Sequence, residues 1–391
     1  MPRICNSTVQ EDVSKELDIQ GAVAKVNIVS SVSEITAYRR MPWWLWWNVL
    51  SLDAPLVAVS WQWMLATVFD VSVPIGCYLL LWMAVWCVYV ADRVLDSFAM
   101  DQNATTLTTA RHAFYFSHRA SMIRLVLPIL LVISGWLVLF HAPLVLIERG
   151  LVLTFMVGLY LLHYAGYTSR TVYRLGNLLA LCFGLWLIWK GPLTATLAVA
   201  DHLFWRQTFF SGLPVSQILW SAGLALMAIA AWRGWRLRTM RSIPKELLCG
   251  LFFSLGCVLG VHYYSLDEVA APVSLASLLL ALMAGLNCIG IACLEQQSDA
   301  QTDSLAITQN WPKVSKRYGL ILAGSLGFLL ALRWQFQAAA DQRVLLTGSL
   351  LAVTAMAVIH MTSKKLPLEL PRVLMDMALL VPPFFVWWMV G

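Results

Sequence analysis

The chain has 391 residues, 60% of them hydrophobic and 12% charged, with a formal charge of +6. A soluble domain carries about 25% charged residues, so this composition, with a mean hydropathy of +0.72, excludes a soluble globular enzyme. It predicts an all-α polytopic membrane protein.

Residues 1–41 mix acids, bases and polar residues with no apolar run, and predict a cytoplasmic tail without stable packing. The "PWWLWWN" run from Pro42 to Asn48 suits a short interfacial helix, because tryptophan favours the headgroup layer. A spanning helix needs roughly 20 mostly apolar residues. That ruler predicts eleven spans at 53–69, 73–91, 123–141, 145–164, 174–190, 215–232, 246–264, 271–294, 318–334, 343–361 and 373–390. The membrane domain is thus expected to run from 42 to 390. The eight cysteines form no CxxC pair and no Cys/His cluster. They read as small buried apolar side chains, neither disulfides nor zinc ligands.

The basic residues orient these spans. With a cytoplasmic N-terminus, only Arg149, Lys190, Arg206, Arg333 and Arg343 of the 27 Lys and Arg residues fall on outer segments. That is the positive-inside distribution. It accounts for the positive charge without a nucleic-acid partner and places the C-terminus outside. The expected setting is a bacterial inner membrane.

Within this topology the acids fall into a pattern. Asp92 and Asp96 end the second span on the cytoplasmic side, and Glu295, Asp299 and Asp303 follow the 271–294 span on the same side. Both sets have i, i+4 spacing, which stacks like charges on one helical face and weakens a helix unless a cation compensates. Magnesium is held by one or two carboxylates together with substrate phosphate oxygens. Two such ridges at the mouth of a helix bundle would bind a phosphorylated substrate through Mg²⁺, while the apolar helices accommodate a lipid tail.

Other polar residues admit two readings. Asp53, with Pro55 following, suits a helix N-cap or a polar cavity wall. Asn287, inside the 271–294 span, suits an interhelical hydrogen bond or a cavity contact. His163 and Tyr164 suit packing or an approach to a second substrate.

These features resemble the UbiA-like superfamily of intramembrane prenyltransferases. Its members have nine membrane helices, with aspartate-rich motifs after the second and sixth. Setting aside the helices at 174–190 and 215–232 as an insertion within 174–240 leaves nine, with "DRVLD" after the second and "EQQSDAQTD" after the sixth. The segments "LSLDAPL" and "PKELLCGLFFSLG" are partial matches, and the resemblance covers roughly 48–164 and 241–390. The family's first motif reads N-D-x-x-D-x-x-x-D. Asp92 and Asp96 match its last two acids, whereas Val88 and Tyr89 hold the leading Asn-Asp positions.

The resemblance implies Mg²⁺-dependent transfer of a prenyl group from a prenyl diphosphate to an aromatic or other lipophilic acceptor. Asp92, Asp96, Asp299 and Asp303 would be catalytic and hold the metal together with Glu295. Arg93, Lys245, Lys313, Arg317, Asn287 and Asp53 would contact substrate, and membrane lipid would surround the bundle. Two other functions fit the residues. One is an ion-coupled secondary transporter, although such proteins place ionisable groups near the bilayer midplane and this chain keeps its acids at one edge. The other is a catalytically inactive relative that binds lipid or acts as a scaffold.

Overall fold

The computed structural model describes residues 42–100, 109–164, 244–265, 270–296, 299–300, 306–335, 340–367 and 369–390. The tail expected at 1–41 and the helix pair expected within 174–240 lie outside the described residues. The chain divides after Val49 into two units. In the first, the aromatic run forms one short helix, α1 (Leu45–Val49).

The described residues of the second unit form helices joined by turns, with no strand among them: α2 (Asp53–Val68), α3 (Ile75–Met100), α4 (Ala110–Ser121), α5 (Leu127–His141), α6 (Leu144–Tyr164), α7 (Lys245–Tyr264), α8 (Ala270–Leu294), α9 (Ile307–Asn310), α10 (Pro312–Gln335), α11 (Ala340–Thr362), α12 (Glu369–Ala378) and α13 (Val381–Val390). Helices are what such apolar runs must form, because in hydrocarbon the backbone has to satisfy its own polar groups. Among the described residues seven helices are long and apolar enough to cross a membrane, or eight when the bent pair α12–α13 counts as one span. At 16 residues, α2 is shorter than the others.

Two departures from the predicted spans have local causes. The span expected at 123–141 begins at Ala110, as α4 continues through a π-helical turn at Met122–Val126 into α5. Pro128 follows directly; it lacks an N–H for the carbonyl one turn earlier, and the chain absorbs the mismatch as a π-turn. The span expected at 373–390 is bent by 45° between α12 and α13. Pro382 and Pro383 open α13, and the break leaves the Leu379 carbonyl without a helical donor. The indole Nε1 of Trp61, on α2, donates to that carbonyl at 2.8 Å.

The core lies where α2, α7, α8, α10 and α11 meet, around Trp61, Met64, Val261, Leu280, Met283, Tyr318, Leu346 and Met356. The crossing of α7 and α8 is in backbone contact: a Cβ added at Gly250 would stand 2.5 Å from the Gly285 nitrogen. Small residues permit this approach, and Ser254 on α7 donates to the Ser277 carbonyl of α8. Large apolar side chains cover the outer faces instead, among them Leu139, Leu144, Leu320, Phe328 and Met361. A soluble surface would not carry so many, and a lipid-facing surface does.

Candidate functional site

One cavity of about 200 Å³ opens among α2, α3, α4, α6, α7, α8 and α12. Its walls include Asp92 and Asp96 from α3, and Glu295 and Asp299 from the path beyond α8. The tight α7–α8 crossing carries Lys245, Glu246 and Cys249 against Ala284, Asn287 and Cys288, all of which line it. Val57, Val88, Phe253, Ile291 and Leu379 supply apolar wall. Both acidic ridges therefore border a single hollow, and greasy surface lies beside them.

On α3 the guanidinium of Arg93 sits between the two acids of its ridge. Its Nη1 donates to Asp96 Oδ2 at 2.9 Å, and its Nη2 lies 3.7 Å from Asp92 Oδ2. The repulsion expected from the i, i+4 spacing is thus offset within the helix by a neighbouring cation, so the spacing alone does not demand a metal. The Nε of Arg93 is buried with no hydrogen-bond partner.

The second ridge continues α8. The Glu295 N–H donates to Ile291 O, and the Asp299 N–H donates to Glu295 O, so hydrogen bonds of helical spacing tie both acids back to α8. Glu295 accepts from Arg372 Nη1 of α12 at 2.8 Å, and the same guanidinium lies 3.5 Å from Glu369. Glu369 in turn accepts from the Ala110 N–H at the start of α4. Burial alone would raise the Glu295 carboxyl, yet Arg372, with Arg111 and Arg93 behind it, holds it down at about 2. Asp299 behaves oppositely: burial first, then the charge of Glu295, push it up to about 7 against the pull of Lys245.

In the sequence Arg111 is one of the cytoplasmic bases that set topology. It is buried, lines the cavity, and its Nε has no hydrogen-bond partner. With Arg93 and Lys245 it makes the rim rich in cations as well as acids. That is the environment a phosphorylated anion needs, since guanidinium–phosphate hydrogen bonds are charge-assisted.

Asp53 is not the N-cap of α2, a place held by Leu52. Its Oδ1 accepts from the Ala54 N–H at 3.0 Å, and the side chain lines the cavity. Asn287 satisfies both of its sequence readings: Nδ2 donates to Asp376 Oδ1 at 2.9 Å, and the residue lines the cavity. Lys313 and Arg317 are exposed on α10 and are not among the cavity-lining residues. Asp303 and the inserted pair lie outside the described residues, as does the side chain of His163; Tyr164 lines the cavity.

Among the described residues no group of three His, Cys, Asp or Glu side chains is gathered closely enough to hold a metal by itself. Magnesium does not require one, because phosphate oxygens complete its shell beside one or two carboxylates. The donor set at this rim, carboxylate oxygens of Asp92, Asp96 and Asp299, has the right chemistry for that ion. Comparisons with protein-family models, with curated proteins and with solved structures each return no match for the chain.

Proposed function

We propose that the chain is a UbiA-like intramembrane prenyltransferase. In this reading nine spans form the family bundle and 174–240 an inserted pair. The substrates are a prenyl diphosphate and a lipophilic acceptor. One observation carries the reading: carboxylates from α3 and from the path beyond α8 share a cavity with the cations Arg93, Arg111 and Lys245 and with apolar wall. A diphosphate with a hydrocarbon tail needs all three surfaces at once.

In this mechanism Asp92, Asp96 and Asp299 would hold Mg²⁺ together with the diphosphate oxygens. Bound there, the ion would stabilise the negative charge that develops as the allylic C–O bond breaks. Arg93, Arg111 and Lys245 add charge-assisted hydrogen bonds to the departing oxygens, aimed at charge that grows in the transition state. Glu295 acts indirectly: through Arg372 it ties the rim to α12 and, by way of Glu369, to the start of α4. Apolar residues such as Phe253 and Ile291 keep water from the allylic cation.

The test is turnover by the detergent-solubilised protein of a long-chain prenyl diphosphate with a panel of phenolic acceptors. Magnesium-dependent product that disappears in Asp92→Asn and Asp299→Asn supports the reading, and product that survives both substitutions rejects it. One observation favours an inactive lipid-binding relative: Arg93 already offsets part of the charge of the first ridge. Magnesium-dependent binding without turnover would select that alternative.

A further inference from the structure

The basic residues at the start of α10 have no part in the cavity. Lys313, Lys316 and Arg317 lie three and four residues apart, so α10 stacks like charges on one face much as the acidic ridges do. On α3 the corresponding repulsion is offset by Arg93. Among the described residues no acid plays that part for α10: the ion pairs join Arg93 to its own ridge and Arg372 to Glu295 and Glu369. All three bases of α10 are exposed.

A second basic run lies beside the first. The Tyr318 ring of α10 meets the His360 ring of α11 edge to face, 4.9 Å between centroids, and a Cβ added at Gly319 would stand 4.0 Å from His360 Cδ2. Lys316 and Arg317 precede that contact on α10, while Lys364 and Lys365 follow it in the 3-10 turn that ends α11. Both runs therefore emerge at one end of the helix pair. It is the end that holds the acidic rim, because Ser315 Oγ donates to Gln296 Oε1 at 2.8 Å, one residue past Glu295. Lys364 and Lys365 are exposed as well, and none of the five bases lines the cavity.

Further along both helices the exposed surface turns apolar. Leu320 on α10 and Val358 and Met361 on α11 are exposed, and Trp311 stands exposed just ahead of α10, a residue type that favours the headgroup layer. A free phosphate or an acidic protein segment would use only the bases. A molecule with an anionic head and hydrocarbon chains would use the bases and the apolar faces together.

We infer that the paired ends of α10 and α11 form a binding site for an anionic phospholipid, whose headgroup phosphate the five bases hold while its acyl chains lie along Leu320, Val358 and Met361. Each Lys or Arg near an anionic lipid surface strengthens binding by about fivefold, so loss of three should weaken it at least tenfold. The site uses no residue of the cavity and stands apart from the prenyltransferase reading.

The experiment is equilibrium lipid binding to the detergent-solubilised full chain, read by native mass spectrometry. The probes are phosphatidylglycerol and phosphatidylcholine with identical acyl chains. The expected result is at least tenfold tighter binding of phosphatidylglycerol, lost at least tenfold in Lys313→Gln/Arg317→Gln/Lys364→Gln. The charge-matched variant Lys15→Gln/Lys25→Gln/Arg39→Gln should stay within about twofold of the wild type, as bases outside the site would. Should the first variant fail to elute as a single species, Arg317→Gln alone carries the test, with a loss of about fivefold. Equal affinity for the two lipids, affinity untouched by the patch substitutions, or equal loss in the two triple variants overturns the inference. Displacement of the lipid by equimolar glycerol 3-phosphate, or by an equimolar polyglutamate peptide, also overturns it, assigning the patch to a free phosphate or to an acidic protein respectively.

Discussion

Replacing Arg372 by methionine probes the link that holds the second acidic ridge to α12. Arg372 is 2% exposed and Glu295 14%, and their charged atoms are 2.8 Å apart. The Glu295 carboxyl is held at about 2 against an ordinary 4.5, a difference equivalent to roughly 3 kcal/mol at 1.36 kcal/mol per pH unit. Breaking a buried pair by removing one partner costs about 3–5 kcal/mol, because a buried charge is left uncompensated. Arg111 and Arg93 remain near Glu295 in the variant, so the expected loss is about 3 kcal/mol, at the low end of that range.

The double variant Arg372→Met/Glu295→Gln removes both charges and should recover about 2 kcal/mol of the loss. Glu369, half-buried and bonded to the Ala110 N–H, is left with one partner. The assay is unfolding in mixed micelles at pH 7 for the wild type, each single variant and the double. The pair is also visible in pH dependence. A carboxyl lowered on folding contributes stability above about pH 4.5, and that contribution is lost as pH falls toward 2. Arg372→Met should flatten this slope. A cost under about 1 kcal/mol, or a double variant no better than the single, would refute the reasoning.

Three further outcomes follow from the packing and exposure. Gly250→Ala puts a methyl 2.5 Å from the Gly285 backbone nitrogen, and overpacking of that kind should cost about 1–3 kcal/mol in the same unfolding assay. Trp61→Phe leaves the Leu379 carbonyl at the α12–α13 bend without its donor. It should cost about 1–3 kcal/mol, with hydrogen exchange rising first near Leu379 and Leu380. Lys313→Ala and Arg317→Ala, both exposed and outside the cavity wall, should change prenyl diphosphate affinity by less than about twofold, as a surface charge would.

What could be read from sequence is what local periodicity encodes. The spans outside 165–243 came from uninterrupted apolar runs, and the acidic ridges came from i, i+4 spacing at a membrane edge. The span that starts at Ala110 was placed too late because "ARHAFYFSHRAS" is amphipathic and fails an apolar ruler. Arg111 and Arg372 looked like topology-setting charges, since their place beside Glu295 depends on α4 and α12 packing against the path beyond α8. No spacing rule reaches that far. Asp376 does carry a sequence signal: an acid within an apolar run at membrane depth is expensive and marks a polar partner or a site. The i, i+3 spacing of Arg93 and Asp96 also makes Arg93 available as a counter-ion to its own ridge, the role the structure gives it.

The most direct measurement is the affinity of the solubilised protein for a long-chain prenyl diphosphate across a magnesium titration, repeated for Asp92→Asn and Asp299→Asn. The account predicts saturable binding that appears with magnesium, is abolished by chelation, and weakens at least tenfold in both variants. Binding indifferent to magnesium, or lost in one variant and untouched in the other, would contradict the claim that the two ridges act on one substrate.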